Sequence, residues 1–146
     1  MTIALWMRPE RATRDGQSMS VVRKGRHVSA IYYLIYYGGH MRLGINDIGW
    51  NTGGYRFPEM GRWHHVAGTY DGTFRLLYVD GKLVDRQYYR GTIFAVSQPF
   101  GIGFDGIADG NAEWFEGAVD DVRIYDRALS AKEIRRLHGL GQDQVF

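Results

Sequence analysis

The sequence predicts an all-β fold, two antiparallel sheets packed face to face as a sandwich, with one short helix near the C-terminus. Three observations carry this. Short runs of apolar, β-branched and aromatic residues recur along the chain, Ile31 to Tyr37 being the strongest. Turn signals separate them, most sharply Gly38-Gly39, Asp71-Gly72 and Asp80-Gly81, and 20 of the 146 residues are glycine. A single segment after Leu129 carries helix punctuation instead.

In order, Ile3, Leu5 and Met7 alternate with Thr2, Ala4 and Trp6, which predicts a first strand ended by Pro9. Met19 to Val22 is a short apolar run, followed by a polar turn at Arg23 to Arg26. Ile31 to Tyr37 forms a strand, Gly38-Gly39 a hairpin turn, and Met41, Leu43 and Ile45 alternate on the return. Asn46 to Gly61 reads as a long loop with a short strand at Tyr55 to Phe57. Trp63 to Tyr70 is a strand closed by Asp71-Gly72. A type I′ loop at Asp80-Gly81 sets Val79 opposite Lys82, Tyr78 opposite Leu83 and Leu77 opposite Val84. Ile93 to Val96 and Phe100 to Phe104 are further short strands.

In the last strand Val119, Val122 and Ile124 all call for the core, which strict alternation does not allow; a bulge at Asp120-Asp121 restores the phase. Ser130 then caps a helix, with Glu133 reaching back in a capping box. Ile134 and Leu137 form its buried stripe, and Gly139 ends it.

Composition narrows the function. The 146 residues suit one domain, spanning 1–146, with a hydrophobic fraction of 45% that supports a core. A net charge of +2 without a basic run argues against nucleic acid. No apolar stretch approaches the roughly 20 residues a membrane helix needs, so no membrane insertion is expected. Without cysteine there is neither a thiolate metal site nor a cysteine nucleophile. The first residues lack the basic, apolar and small-residue regions of a signal peptide.

Four blocks go further: Trp63-His64-His65-Val66-Ala67, Thr69-Tyr70-Asp71-Gly72, Leu77-Tyr78-Val79-Asp80-Gly81, and Asp120-Asp121-Val122-Arg123-Ile124-Tyr125 running into Ala128-Leu129-Ser130. Together with Thr2 to Trp6 they resemble the laminin-G-like jelly-roll domains of the concanavalin A-like lectin/glucanase superfamily. The resemblance implies a non-catalytic recognition or surface module, glycan-binding or adhesive, acting outside the cell or on a cell or virion surface. Its alternative is a structural subunit of a homo-oligomeric assembly, such as a virion decoration protein or extracellular fibre. A glycoside hydrolase is the third class. Family members usually carry a strand before the segment matching Thr2 to Pro9. Its lack here would leave an open edge, to be filled by Gln142 to Phe146 or by a neighbouring subunit, hence the expectation of a homo-oligomer.

For catalysis, the nearest approach to a glucanase acidic motif is Glu113, Glu116 and Asp120. The odd spacing of the two glutamates turns them to opposite strand faces, whereas a retaining pair needs its carboxyls about 5–5.5 Å apart. His64 and His65, adjacent on a strand, also face opposite ways, one expected to pack and the other to be solvated, so no catalytic residue is assigned. Jelly-roll relatives often hold Ca²⁺, and Asp105, Asp109, Asn111 and Asp121 could supply oxygen ligands; turn formation by the Asp-Gly and Gly-Asn pairs, and ion pairing of Asp121 with Arg123 or Arg127, are the alternatives.

Sugar recognition sets aromatic faces against apolar sugar faces. The strand Ile31 to Tyr37 is aromatic on both sides, so Tyr33 and Tyr37, joined by Trp50, Asn51, Tyr55 and Tyr89, form the candidate ligand surface. A subunit interface, or cover by a loop, accounts for the same pattern. Trp6 and Trp63 are expected to anchor the core. The basic residues Arg8, Arg11, Arg14, Arg23, Lys24 and Arg26 read as a solvated surface, or as a contact for an anionic glycan or an acidic neighbour.

Overall fold

A computed structural model describes residues 1–12, 18–25, 30–46, 53–57, 59–94, 97–104 and 114–142. In chain order the elements are β1 (Thr2–Pro9), β2 (Ser18–Lys24), β3 (Tyr32–Tyr37), β4 (His40–Ile45), β5 (Tyr55–Arg56), β6 (His64–Tyr70), β7 (Phe74–Val79), β8 (Lys82–Tyr88), β9 (Phe100–Ile102), β10 (Gly117–Tyr125) and α1 (Ala131–Gln142). They build two five-stranded sheets, β10-β1-β6-β7-β8 and β5-β4-β3-β2-β9. Every pairing is antiparallel.

The alternation read from β1 separates two cores. Ile3, Leu5 and Met7 point between the sheets, against Leu34, Met41 and Ile45. Ala4 points the other way, onto a second cluster with Ala67, Tyr78, Leu129 and Ile134 beneath α1. Small side chains at Ala4 and Ala67 let the helix approach the sheet. Ile134 is fully buried there, which stabilises the docked helix by about 1.5–3 kcal/mol. Thr2 locks the approach to the helix, its hydroxyl donating to the Arg127 carbonyl at 2.8 Å and accepting from the Leu129 amide at 2.9 Å. The capping box forms as expected: the Ser130 amide donates to Glu133 Oε2 at 2.8 Å, and the Glu133 amide to Ser130 Oγ at 3.3 Å.

Both tight turns carry the backbone their residues allow. Gly38 and Gly39 have φ of 54° and 78°, Asp80 and Gly81 of 50° and 74°, so each loop has the positive dihedrals of a type I′ turn. The bulge in β10 lies at Asp121-Val122, the pair left opposite Leu5 between the Ala4–Arg123 and Trp6–Asp120 partners. Asp121 takes φ 49° there, and Val119 and Val122 both reach the main core. Ile124 pairs with Ile3 but stays 48% exposed, because β10 is an edge strand.

Several expectations are corrected. Arg23 does not turn: β2 continues through Lys24, and Arg23 is buried. Leu77 pairs with Asp85 rather than Val84, because the ladder shifts after Tyr78–Leu83 and leaves Val84 as an extra residue. Ile93 and Phe94 are not in a strand, and the rest of that segment lies outside the described residues. The strand begun at Phe100 ends at Ile102. The helix passes Gly139 and ends at Gln142, so the tail expected to fill a sheet edge begins inside α1, with 143–146 outside the described residues.

Candidate functional site

Among the described residues the expected aromatic surface does not assemble. Tyr33 is 1% exposed; its ring lies across Gly44, where a Cβ would sit 1.9 Å from Tyr33 Cζ, and Arg23 stands 5.2 Å from the ring centroid. Tyr37 is half-buried on the same outer face, with Arg42 5.0 Å from its ring. Tyr55 and Tyr89 instead pack against the core between the sheets, Tyr89 accepting from Asn46 Nδ2 at 3.1 Å. A covered β3 face and two side chains turned toward the core cannot form one platform. Trp50 and Asn51 lie outside the described residues, as do Asp105, Asp109, Asn111 and Glu113. Asp121 pairs with Arg123 at 2.8 Å, one of the pairings its sequence allowed. Glu116 is held by Arg11, while Asp120 accepts from the Asp121 amide at 2.7 Å, so these two acidic groups have separate engagements.

A different site is built where β6 starts. His64 and His65 do face opposite ways, but both are buried, correcting the expectation that one is solvated. The β6–β7 register that pairs Val66 with Val79 brings Asp80, the first residue of the type I′ turn, alongside His65. The Asp80 carboxylate accepts from the His65 amide at 3.0 Å through Oδ1 and from His64 Nδ1 at 2.8 Å through Oδ2. Burial alone would raise the Asp80 carboxyl, but the two hydrogen bonds outweigh it and hold it below its ordinary value. A carboxylate only accepts, so His64 carries a hydrogen on Nδ1, and in the neutral ring Nε2, buried and without a partner among the described residues, is an acceptor. The His64 ring meets Phe57 edge-on at 4.7 Å.

On the other face, His65 lies between Trp6 and His138, with ring centroids 5.5 and 6.0 Å away, and His138 stacks on Trp6 at 5.6 Å. The last turn of α1 closes over this group: a Cβ on Gly141 would stand 2.0 Å from Trp6 Nε1. Burial first, and the neighbouring His138 second, push the His65 imidazole down to about 4.

Beside this group opens a cleft of about 780 Å³, between the end of α1, the segment entering β6 and the β7–β8 turn. Trp63, half-buried, presents an aromatic wall, with the Arg8 guanidinium 5.6 Å from its centroid. Arg62 pairs with Glu59 at 2.7 Å and Arg8 with Glu10 at 2.8 Å. Exposed Lys82 makes no ion pair among the described residues. The cleft thus combines an apolar face, cationic donors and a buried acceptor. Trp63 was expected in the core, and of His64 and His65 one was expected to pack and the other to be solvated. Their convergence with Asp80 was legible only by extending the β6–β7 pairing one residue beyond Val66–Val79.

The chain belongs to the concanavalin A-like lectin/glucanases superfamily, whose laminin-G-type family model matches residues 1–135. The two sheets and single helix are a jelly-roll sandwich of that superfamily. Among solved structures it is similar to domain 4 of an extracellular arabinanase from Geobacillus stearothermophilus, in complex with arabinotriose. Identity is 20% and the TM-score 0.72, over 94% of this chain and 65% of that one. It is also similar to a heptameric SAP-like pentraxin from Limulus polyphemus, at 18% identity and TM-score 0.71, over 94% of this chain and 68% of that one. A Trypanosoma rangeli sialidase mutant displaying trans-sialidase activity matches at 20% identity and TM-score 0.71, over 97% of this chain but 23% of the sialidase. No curated protein sequence matches the chain. Among the described residues no helix is long and apolar enough to cross a membrane, and no group of three or more His, Cys, Asp or Glu could hold a metal ion.

Proposed function

We propose that the protein is a non-catalytic carbohydrate-recognition module acting outside the cell, and that its ligand occupies the cleft between α1 and the start of β6. The observation that carries the reading is the meeting, in one 780 Å³ space, of the Trp63 face with the Lys82 ammonium and the Arg8 and Arg62 guanidiniums. A sugar offers the matching set: an apolar C–H face for the indole and hydroxyl oxygens for Lys82 and the two guanidiniums. The superfamily assignment and the arabinotriose complex of the similar arabinanase domain support it. The separate engagements of Glu116 and Asp120 support a binding rather than a hydrolytic role.

The test is a glycan array followed by calorimetry on the best ligand, with melting curves to establish that each variant is folded. Trp63→Ala should weaken binding about tenfold, close to 1.4 kcal/mol, while Tyr37→Ala leaves it unchanged. Wild-type affinity in the Trp63→Ala protein, or large particles by light scattering with no glycan bound, would overturn the proposal.

A further inference from the structure

We infer that the saccharide taken by this cleft bears a carboxylate, as a uronic acid does; the inference rests on the cleft being the sugar site. The residues around the space supply three cations, Arg8, Arg62 and Lys82, against two carboxylates, Glu59 and Asp80, and Arg8 is also paired with Glu10. Both carboxylates are already engaged: Asp80 by His64 and the His65 amide, Glu59 by Arg62. The donors are not used up. A guanidinium carries five N–H groups and an ammonium three, and Lys82 has no ion-pair partner among the described residues.

The Arg62–Glu59 pair is exposed, at 72% and 52% of the two side chains, and a pair so hydrated is worth little. A ligand carboxylate can therefore take over the planar Arg62 fork at small cost. The C-terminal end of α1, which borders the cleft through His138 and Gln142, contributes a partial negative charge of about half a unit. Its carbonyls suit sugar hydroxyls, leaving the cationic side chains for the acid. A neutral sugar would use the first set and leave the second unmatched.

The experiment titrates the intact chain with two oligosaccharides of equal length, an oligogalacturonate and the corresponding neutral oligogalactan. Each is measured at about 20 and 300 mM salt, where a charge contact weakens through screening. The expected result is at least about tenfold tighter binding of the acidic oligomer at low salt. That preference should shrink at high salt and largely vanish in Lys82→Gln and Arg62→Gln, both surface changes that leave the melting temperature unchanged. Equal or tighter binding of the neutral oligomer overturns the inference and leaves the sugar site standing. An acidic preference that neither variant alters also overturns it, since the contact then lies elsewhere. No binding of either oligomer, with none on the glycan array, removes the sugar site and this inference together.

Discussion

Acidification should loosen α1 from the sheet through one buried histidine. His65 is 2% exposed beneath the last turns of the helix, and its imidazole is pushed down to about 4 from an ordinary 6.5. The facing groups are His138 on α1, Asp80 in the β7–β8 turn, and Asp121 and Arg123 on β10. The two carboxylates favour the charged form, yet burial, with His138 and Arg123, outweighs them. Because the folded value lies below the unfolded one, the unfolded chain takes up the proton first. Stability from neutral His65 is complete above pH 6.5, declines as pH falls, and is gone below about 4. A gap of roughly 2.5 units, at 1.36 kcal/mol per unit, corresponds to about 3 kcal/mol in all. The carboxyls with lowered values lose their contributions as pH falls through their ordinary values, 3.8 for Asp71 and Asp80 and 4.5 for Glu116 and Glu133, so between pH 4.5 and 7.5 the change is mainly that of His65.

The assay is urea unfolding of the wild type and His65→Phe at several pH values from 4.5 to 7.5. Phenylalanine keeps a ring between Trp6 and His138 but does not titrate. The wild type should lose about 2–3 kcal/mol across that range beyond any loss in the variant. Parallel pH profiles for the two proteins, or a His65 ring resonance titrating near 6.5 in the folded state, would refute the reasoning.

Further outcomes follow from close contacts and caps. Gly141→Ala places a methyl 2.0 Å from Trp6 Nε1 and should cost about 1–3 kcal/mol, read from urea midpoints and a shift in tryptophan emission. Gly44→Ala strikes the Tyr33 ring at 1.9 Å; it should destabilise by a similar amount, about 1–3 kcal/mol, while binding in the distant cleft persists in the folded fraction. Ser130→Ala removes the N-cap of α1 and should cost about 1 kcal/mol, with reduced helical circular dichroism.

What the sequence revealed divides by range. The type I′ turns at Gly38-Gly39 and Asp80-Gly81 and the capping box at Ser130 are closed by residues within three positions of one another. Their chemistry is therefore complete in the local string. The β10 bulge was also readable, because three core-seeking side chains conflicted with a period of two. The misplaced features all depend on distant partners. Gly139 is followed by another helical turn because Gly141 seats against Trp6, more than a hundred residues away in sequence. Tyr33 is covered because β4 offers a glycine at the one position its ring must cross.

The cleft combines both ranges, which explains why its residues were assigned other roles. Asp80 was correctly a turn residue, and Trp63, read as the first residue of a strand, stands one position before it, yet neither role exhausts the side chain. A type I′ turn fixes the Asp80 backbone and leaves its carboxylate free to reach back to the strand that β7 pairs with. That strand begins with adjacent histidines, so one carboxylate sets the tautomer of His64 while binding the amide of His65, whose ring supports the helix. Asp80 thereby joins the cleft wall to the helix-docking face. Removing its carboxylate should affect both at once: Asp80→Ala frees the His64 tautomer and leaves the His65 amide unmatched. A variant that lost ligand affinity with unchanged stability would separate the two functions and break that link.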